Sequence, residues 1–145
     1  MNAVTTLLTA FLLLTLLVGC ATSKRETQRR EKDAQIQRQV DKHLEERQTY
    51  LGANSNLPPN IVTAINNGQI LRGMTETQVK LAWRSPEKVN RSVSGVGRRD
   101  QWIYNSQHTG FSEKLAFMRA GIGVYSGRRY LYFRNGILDS WQEIN

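Results

Sequence analysis

Four patterns of apolar and polar positions follow one another along the chain. Residues 1–22 carry no charged side chain and contain an apolar run from Leu7 to Val18. Residues 23–48 are charges and glutamines, with Ile36, Val40 and Leu44 the apolar residues at helical spacing. Three such positions are too few for a coiled-coil seam, which needs several heptads. That stretch is expected to be a solvated helix or a partly disordered tether. From Leu57 to Pro86 apolar residues recur with the helical period, and after Pro86 the period changes to two.

The helical part holds two short elements. Leu57-Pro58-Pro59-Asn60 opens the first, with proline suited to a first turn. Ile61, Ala64 and Ile65 form its apolar stripe, and Gly68 takes the left-handed position after the last turn. The second begins at Gly73-Met74-Thr75-Glu76-Thr77-Gln78-Val79. Thr75 is a good N-cap, and Gln78 three residues on completes a capping box. Met74 and Val79 are placed to form a hydrophobic staple across the cap. Val79, Ala82 and Trp83 give one buried stripe, and Pro86 ends the element because the residue before proline leaves the helical region.

The strand part is read from alternation. Val89, Arg91 and Val93 share one face of a first strand, Ser94-Gly95-Val96-Gly97 turns, and Gln101-Trp102-Ile103-Tyr104 continues as a second strand. Tyr130–Arg134 and Ile137–Trp141 flank Asn135-Gly136, a pair that signals a two-residue hairpin. Regular pairing sets Phe133 opposite Leu138 and Tyr130 opposite Trp141. Both hairpin faces then carry large apolar groups: one for the helices, the other for a partner or for the preceding connection. That connection, residues 106–127, holds Phe111, Leu115, Phe117, Met118, Ile122, Val124 and Tyr125. Ser112 to Ala120 is expected as one short helix with Ser112 as cap. Connections of this length in compact domains are often binding or lid segments. The fold class is therefore α+β: two N-terminal helices packed on a small three- to four-stranded antiparallel sheet. Phe111, Phe117, Tyr125, Tyr132 and Trp141 are the candidate partner-binding residues.

The uncharged N-terminus changes the picture from fold to address. Its apolar run has the length of a signal-peptide core and is short for a membrane span. Leu17-Val18-Gly19-Cys20 resembles a bacterial lipobox, in which the bond between Gly19 and Cys20 is cut and Cys20 is acylated. The resemblance implies a mature protein held by several acyl chains on Cys20, and more than one chain gives stable anchoring. Ala21, rather than Asp, resembles lipoproteins sorted to the outer membrane, with the domain facing the periplasm. The implied organisation is a signal peptide over 1–19, a lipidated N-terminus and charged spacer over 20–56, and the α+β domain over 57–145. The n-region lacks Lys and Arg. An alternative is an uncleaved anchor, which Lys24, Arg25, Arg29 and Arg30 would orient with the domain in the cytoplasm.

Charge adds a partner class. The 145 residues carry a formal net charge of +8, which suits anionic lipid, acidic protein or nucleic acid. Arg98-Arg99 and Arg128-Arg129 are doublets at strand edges and are the candidate anionic-lipid contacts. Basic groups beside Trp102 and Tyr130 would also suit single-stranded nucleic acid if the domain faced the cytoplasm. Catalytic chemistry is not signalled. His43 and His108 lack neighbours at metal-ligand spacing. Gly95-x-Gly97 and Gly121-x-Gly123 are too short for a phosphate loop, and Ser112 and Glu113 belong to no nucleophile motif. With Cys20 acylated there is no free thiol, since it is the one cysteine. The expectation is a non-enzyme with no cofactor, no metal and no small-molecule substrate.

Several of these residues together resemble a family. Gly68-x-Ile70-x-x-Gly73-Met74-Thr75-x-x-Gln78-Val79, Trp83-x-x-Pro86, Gln101-Trp102-x-Tyr104 and Tyr132-Phe133-x-x-Gly136-x-Leu138 are similar to the SmpA/OmlA family of BamE-like outer-membrane lipoproteins. The resemblance spans residues 61–141. It implies two helices on an antiparallel sheet, as in the β-lactamase inhibitor protein. It also implies a non-catalytic accessory role, through protein partners and lipid, in assembling outer-membrane β-barrels. Scaffolding or inhibitor-like binding to another envelope partner is the alternative within the same fold. The chain departs from the family pattern at Arg84-Ser85, where a glycine usually precedes the proline, and in the lengths of the 106–127 connection and the spacer.

Overall fold

The computed structural model describes residues 3–105, 111–124 and 127–144, with side chains from Lys24 onward except those of 111–113. The elements are α1 (Ala3–Ala53), α2 (Pro59–Asn66), α3 (Glu76–Trp83), β1 (Lys88–Ser94), β2 (Gly97–Asn105), α4 (Phe111–Arg119), β3 (Arg128–Arg134) and β4 (Ile137–Ile144). The chain is α+β, with three helices before a four-stranded antiparallel sheet of order β1-β2-β3-β4 and α4 between β2 and β3. Among the described residues no helix is long and apolar enough to cross a membrane.

Residues 1–36 and 37–145 form separate units. In the first, the described side chains of Lys24 to Gln35 are exposed on helix α1, as a solvated charged helix requires. The second begins at Gln37, not at the expected residue 57. The reason is a stripe on α1: Val40, His43, Leu44, Arg47, Tyr50 and Leu51 are all buried or half-buried. They fall at i, i+3, i+4, i+7, i+10 and i+11, one face of a helix. Apolar residues alone do not reveal this stripe, because two of its innermost members are His43 and Arg47.

Helix α3 forms as its cap predicts. The Gln78 N–H donates to Thr75 Oγ1 at 3.2 Å and the Thr75 N–H donates to Gln78 Oε1 at 2.9 Å. Met74 and Val79 are both fully buried. Gln78 Nε2 also donates to the Tyr50 hydroxyl at 3.2 Å, which ties the cap to α1. One core joins Ile61 and Ile65 of α2, Val79, Leu81 and Trp83 of α3, and Trp102, Tyr104, Leu131, Phe133 and Leu138 of the sheet. A second, smaller cluster sets Val40 of α1 against Phe117 and Ile122.

The Asn135-Gly136 hairpin forms, both residues having positive φ (51° and 82°), as a type I′ turn needs. Phe133 pairs with Leu138 as expected, but Tyr130 pairs with Gln142 and Trp141 lies opposite Leu131. A bulge at Asp139 causes the shift, because Tyr132 pairs with Ser140 and skips it. The bulge sits where the segment before α3 docks on β4. Gly73 N–H donates to Leu138 O, Leu138 N–H donates to Met74 O, and Arg72 Nε donates to Asp139 O.

Arg47 holds the helix ends together. Its guanidinium donates to Asn66 O at 3.4 Å, Leu81 O at 3.0 Å, Ala120 O at 3.4 Å and Gly121 O at 3.2 Å. These carbonyls lie at the C-terminal ends of α2, α3 and α4, where backbone acceptors lack helical partners and the helix dipole is negative. His43 donates Nε2–H to the same Leu81 carbonyl at 2.8 Å. Arg47→Met leaves the Asn66, Ala120 and Gly121 carbonyls without this donor and the Leu81 carbonyl with His43 alone, and is expected to cost about 2–4 kcal/mol in urea unfolding, with Arg47→Lys recovering only part.

Burial is the main cause that lowers the His43 pKa below its ordinary 6.5; Arg47 and Arg84 act in the same sense, and the Leu81 hydrogen bond and Glu46 oppose it. The unfolded chain therefore binds a proton below pH 6.5 that the folded protein refuses. This contribution to stability is complete above 6.5 and declines as pH falls from there toward the folded-state value. Urea midpoints measured at pH about 7.5 and about 5.5 should show the loss, and His43→Gln should abolish that part of the pH dependence.

Candidate binding face

Strand alternation sorts the basic residues onto two faces. Arg98 and Arg129 share the helix-side face with Trp102, Leu131 and Phe133. Arg99 and Arg128 point to the opposite face, so the four candidates do not form one anionic-lipid patch. The two on the helix side are also committed to internal partners. Arg98 pairs with Asp100 (Nε to Oδ2, 3.1 Å) and with Glu76 of α3. Arg129 pairs with Glu143 across β3 and β4 at 2.8 Å, with its guanidinium 5.2 Å from the Trp83 ring centre.

Asp100 anchors this inner network. Its side chain is wholly buried, and Arg91 of β1 reaches it with Nε to Oδ1 at 2.9 Å and a second contact to Oδ2 at 3.3 Å. The hydrogen bond from Arg91 is the largest cause holding the Asp100 carboxyl below its ordinary 3.8, and the Arg98 charge adds to it. A depressed carboxylate stabilises the fold above its unfolded value and loses that contribution as pH falls through the folded one.

The opposite face is open. In rows across the strands it presents Ser92, Arg99, Arg134 and Ile137; then Asn90, Gln101, Tyr132 and Ser140; then Lys88, Ile103, Tyr130 and Gln142; then Asn105, Arg128 and Ile144. Lys88, Arg99, Arg128 and Arg134 are exposed. Their acidic neighbours are Asp139 at the bulge, which pairs with Arg134 at 3.2 Å, and Glu87, whose charge acts on Arg128. Arg99 and Arg134 are directly opposite each other, an unfavourable like-charge pair that an anion would relieve. Asn90 Nδ2 donates to Gln101 Oε1 at 2.9 Å, and Gln101 Nε2 donates to the Tyr132 hydroxyl at 3.4 Å. That chain of donors fixes the Tyr132 ring and leaves its own O–H free to donate. The hydrogen bond to Tyr130 is the largest cause that raises the Arg128 pKa above its ordinary value. A groove of about 410 Å³ opens at the Arg99–Arg134 end, between Ser92 and Asp139.

A second groove, of about 850 Å³, runs between residues 39–54 of α1 and helix α3, with His43, Tyr50, Leu81 and Phe117 among its walls. Among the described residues no three His, Cys, Asp or Glu side chains are grouped to hold a metal.

Compared with known protein families, with curated proteins and with solved structures, the chain finds no match.

The partner-binding candidates separate in the same way as the arginines. Tyr132 lies on the open face. Trp141 lies at the border of the helix-side face, 43% exposed. Phe117 is 1% exposed under the Arg84 guanidinium, 3.7 Å from its ring centre, and is a core residue rather than a contact. The hydrophobic stripe of α4 that packs on Val40 draws it inward. His108 and Tyr125 lie outside the described residues, as do the side chains of Cys20, on α1, and Phe111. Tyr130, which adjoins the Arg128-Arg129 doublet, also belongs to the face, as do Lys88 and Arg134, which no motif singled out. The period-two reading of β3 marks Tyr130 and Arg134, since both share the parity of Arg128 and Tyr132.

Asp100→Asn removes the negative charge and one of the two acceptor oxygens that Arg91 and Arg98 share. Both arginines keep access to water, so the expected cost is about 1–2 kcal/mol at neutral pH. The same variant should flatten the acid limb of the unfolding curve below pH about 4, as followed by circular dichroism.

Proposed function

We propose that this chain is a non-catalytic outer-membrane lipoprotein that binds protein partners through the open face of its sheet and supports β-barrel assembly or envelope integrity. The observation that carries the reading is that face: Tyr132, held by Gln101, and Tyr130, flanked by four exposed cations that outnumber the acidic Asp139 and Glu87. Such a surface offers aromatic anchors and charge steering, the features of a recognition patch. The lipobox and the resemblance to the SmpA/OmlA family supply the address and the class of partner. We read the shared core of α2, α3 and the sheet as the BamE-like arrangement of that family. A scaffold or inhibitor-like module for another envelope protein uses the same face.

A second reading draws on the same tyrosines and arginines. Bases of single-stranded nucleic acid stack on aromatic platforms lined by cations. It requires that Met1 be retained and the domain face the cytoplasm.

Mass spectrometry of the membrane-fractionated protein distinguishes them. The lipoprotein reading expects a chain beginning at acylated Cys20 in the outer-membrane fraction and an unprocessed Cys20→Ala variant. A photo-crosslinker at position 132 should capture an envelope protein, with capture reduced about tenfold by Arg99→Glu with Arg134→Glu. A chain that keeps Met1 in the inner membrane, unchanged by Cys20→Ala, overturns the lipoprotein reading and favours nucleic acid.

A further inference from the structure

The two edges of the sheet are not equivalent. At β4 the segment before α3 covers the first residues, through the Gly73 and Leu138 hydrogen bonds and the Thr75–Ile137 bridge. At β1 no described residue pairs with the outer edge, and all seven residues of the strand are exposed. The two-residue turn makes Ser94–Gly97 the closing hydrogen-bonded pair, so Ser92, Asn90 and Lys88 direct their backbone groups inward to β2. Val89, Arg91 and Val93 therefore direct their N–H and C=O groups outward, unpaired by any strand.

The side chains along this edge are also two-sided. Val89 and Val93 stand on the helix-side face, 43% and 73% exposed. Arg91 stands between them with its charge turned inward to Asp100. On the open face the edge carries Lys88, Asn90, Ser92 and Ser94, with Arg99 in the next strand. A strand added here meets valines on one face and cations on the other.

We infer that β1 is a strand-addition site for an extended segment of a partner protein whose residues alternate apolar and acidic. Its backbone extends the ladder at Val89, Arg91 and Val93. Its apolar side chains cover Val89 and Val93, and its carboxylates face Lys88 and Arg99. Backbone pairing supplies affinity and alternate side chains supply specificity, the usual division in strand addition. A second copy of the chain is a poor occupant. Antiparallel self-pairing centred on β1 sets Arg91 against Arg91 and adds positive charge to a chain already at +8. The inference rests on the protein-binding reading above and names the mode and chemistry of the partner.

The test uses the full-length chain in detergent with a fluorescein-labelled peptide about eight residues long, alternating valine and glutamate. Anisotropy should show saturable binding, and amide exchange of the 88–96 segment should slow in the complex. An alternating valine–lysine peptide, and a block peptide with the valines and glutamates separated, should bind about tenfold more weakly or not at all. Val93→Pro removes an outward N–H without touching the ladder to β2, so it should keep the melting temperature within a few degrees and abolish binding. Lys88→Glu should weaken binding about tenfold without changing the fold.

Several results overturn the inference: no binding of the alternating peptide, equal binding by Val93→Pro, equal binding of the block peptide, or protection confined to the Tyr130–Tyr132 segment. Self-association of the chain lost in Val93→Pro also overturns it, by making a second copy the occupant. Crosslinking from position 132 that survives in Val93→Pro would leave the open-face reading standing while the edge proposal fails.

Discussion

A buried arginine with no carboxylate partner among the described residues is the constraint on which the compact unit depends. Helices α2, α3 and α4 end close together, and each end leaves buried or part-buried backbone acceptors without helical partners. Arg47 answers all three with one guanidinium, and His43 joins it on the Leu81 carbonyl. Arginine suits this role because its planar fork offers several donors in fixed directions, and it stays charged even though burial lowers its pKa. The positive charge meets the negative ends of the helix dipoles rather than a carboxylate. Residues 37–53 of α1 are thereby part of the folded unit, and the last turns of three helices share one anchor.

The same crowding explains the local backbone around those ends. Gly68 has φ +62°, and a Cβ there would lie 2.2 Å from the Gly123 nitrogen. Trp83 closes the contact by donating Nε1–H to Gly68 O at 2.9 Å. At the end of α3, where the backbone conformation favours glycine, the residue is Arg84, with φ 75°. A side chain in that region of backbone space costs on the order of 1–3 kcal/mol. Stacking of the Arg84 guanidinium on Phe117, and the Tyr104 hydroxyl donating to Arg84 O, offset part of it. The second cluster under α4 is therefore tied to the backbone conformation at Arg84.

On the sheet, charge is partitioned by strand geometry. Each arginine doublet sends one member to each face. The inner members lock the sheet to α3 and β4 through Glu76, Asp100 and Glu143. The outer members, with Lys88 and Arg134, make the open face basic. The core-facing ion pairs fix the position of β1 against β2, and the exposed cations lie beside Tyr130 and Tyr132.

Local chemistry was enough to determine the capping box of α3, the proline start of α2, the change of period at Pro86, the Asn135-Gly136 turn and the α+β class. Each depends on residues within a few positions of one another, so their spacing specifies the geometry. The place of α1 in the unit was hidden because its stripe is completed by His43 and Arg47, whose burial is tolerable only once three helix ends supply acceptors. The bulge at Asp139, which moved Trp141 away from Tyr130, was hidden because it answers the docking of Gly73–Thr75 on β4, a contact between segments far apart in the chain. Phe117 looked like a contact and is core, because α4 folds back onto Val40. Tertiary structure also decided which arginines are free: pairing partners come from other strands and helices, and only the assembled sheet shows which cations already have one.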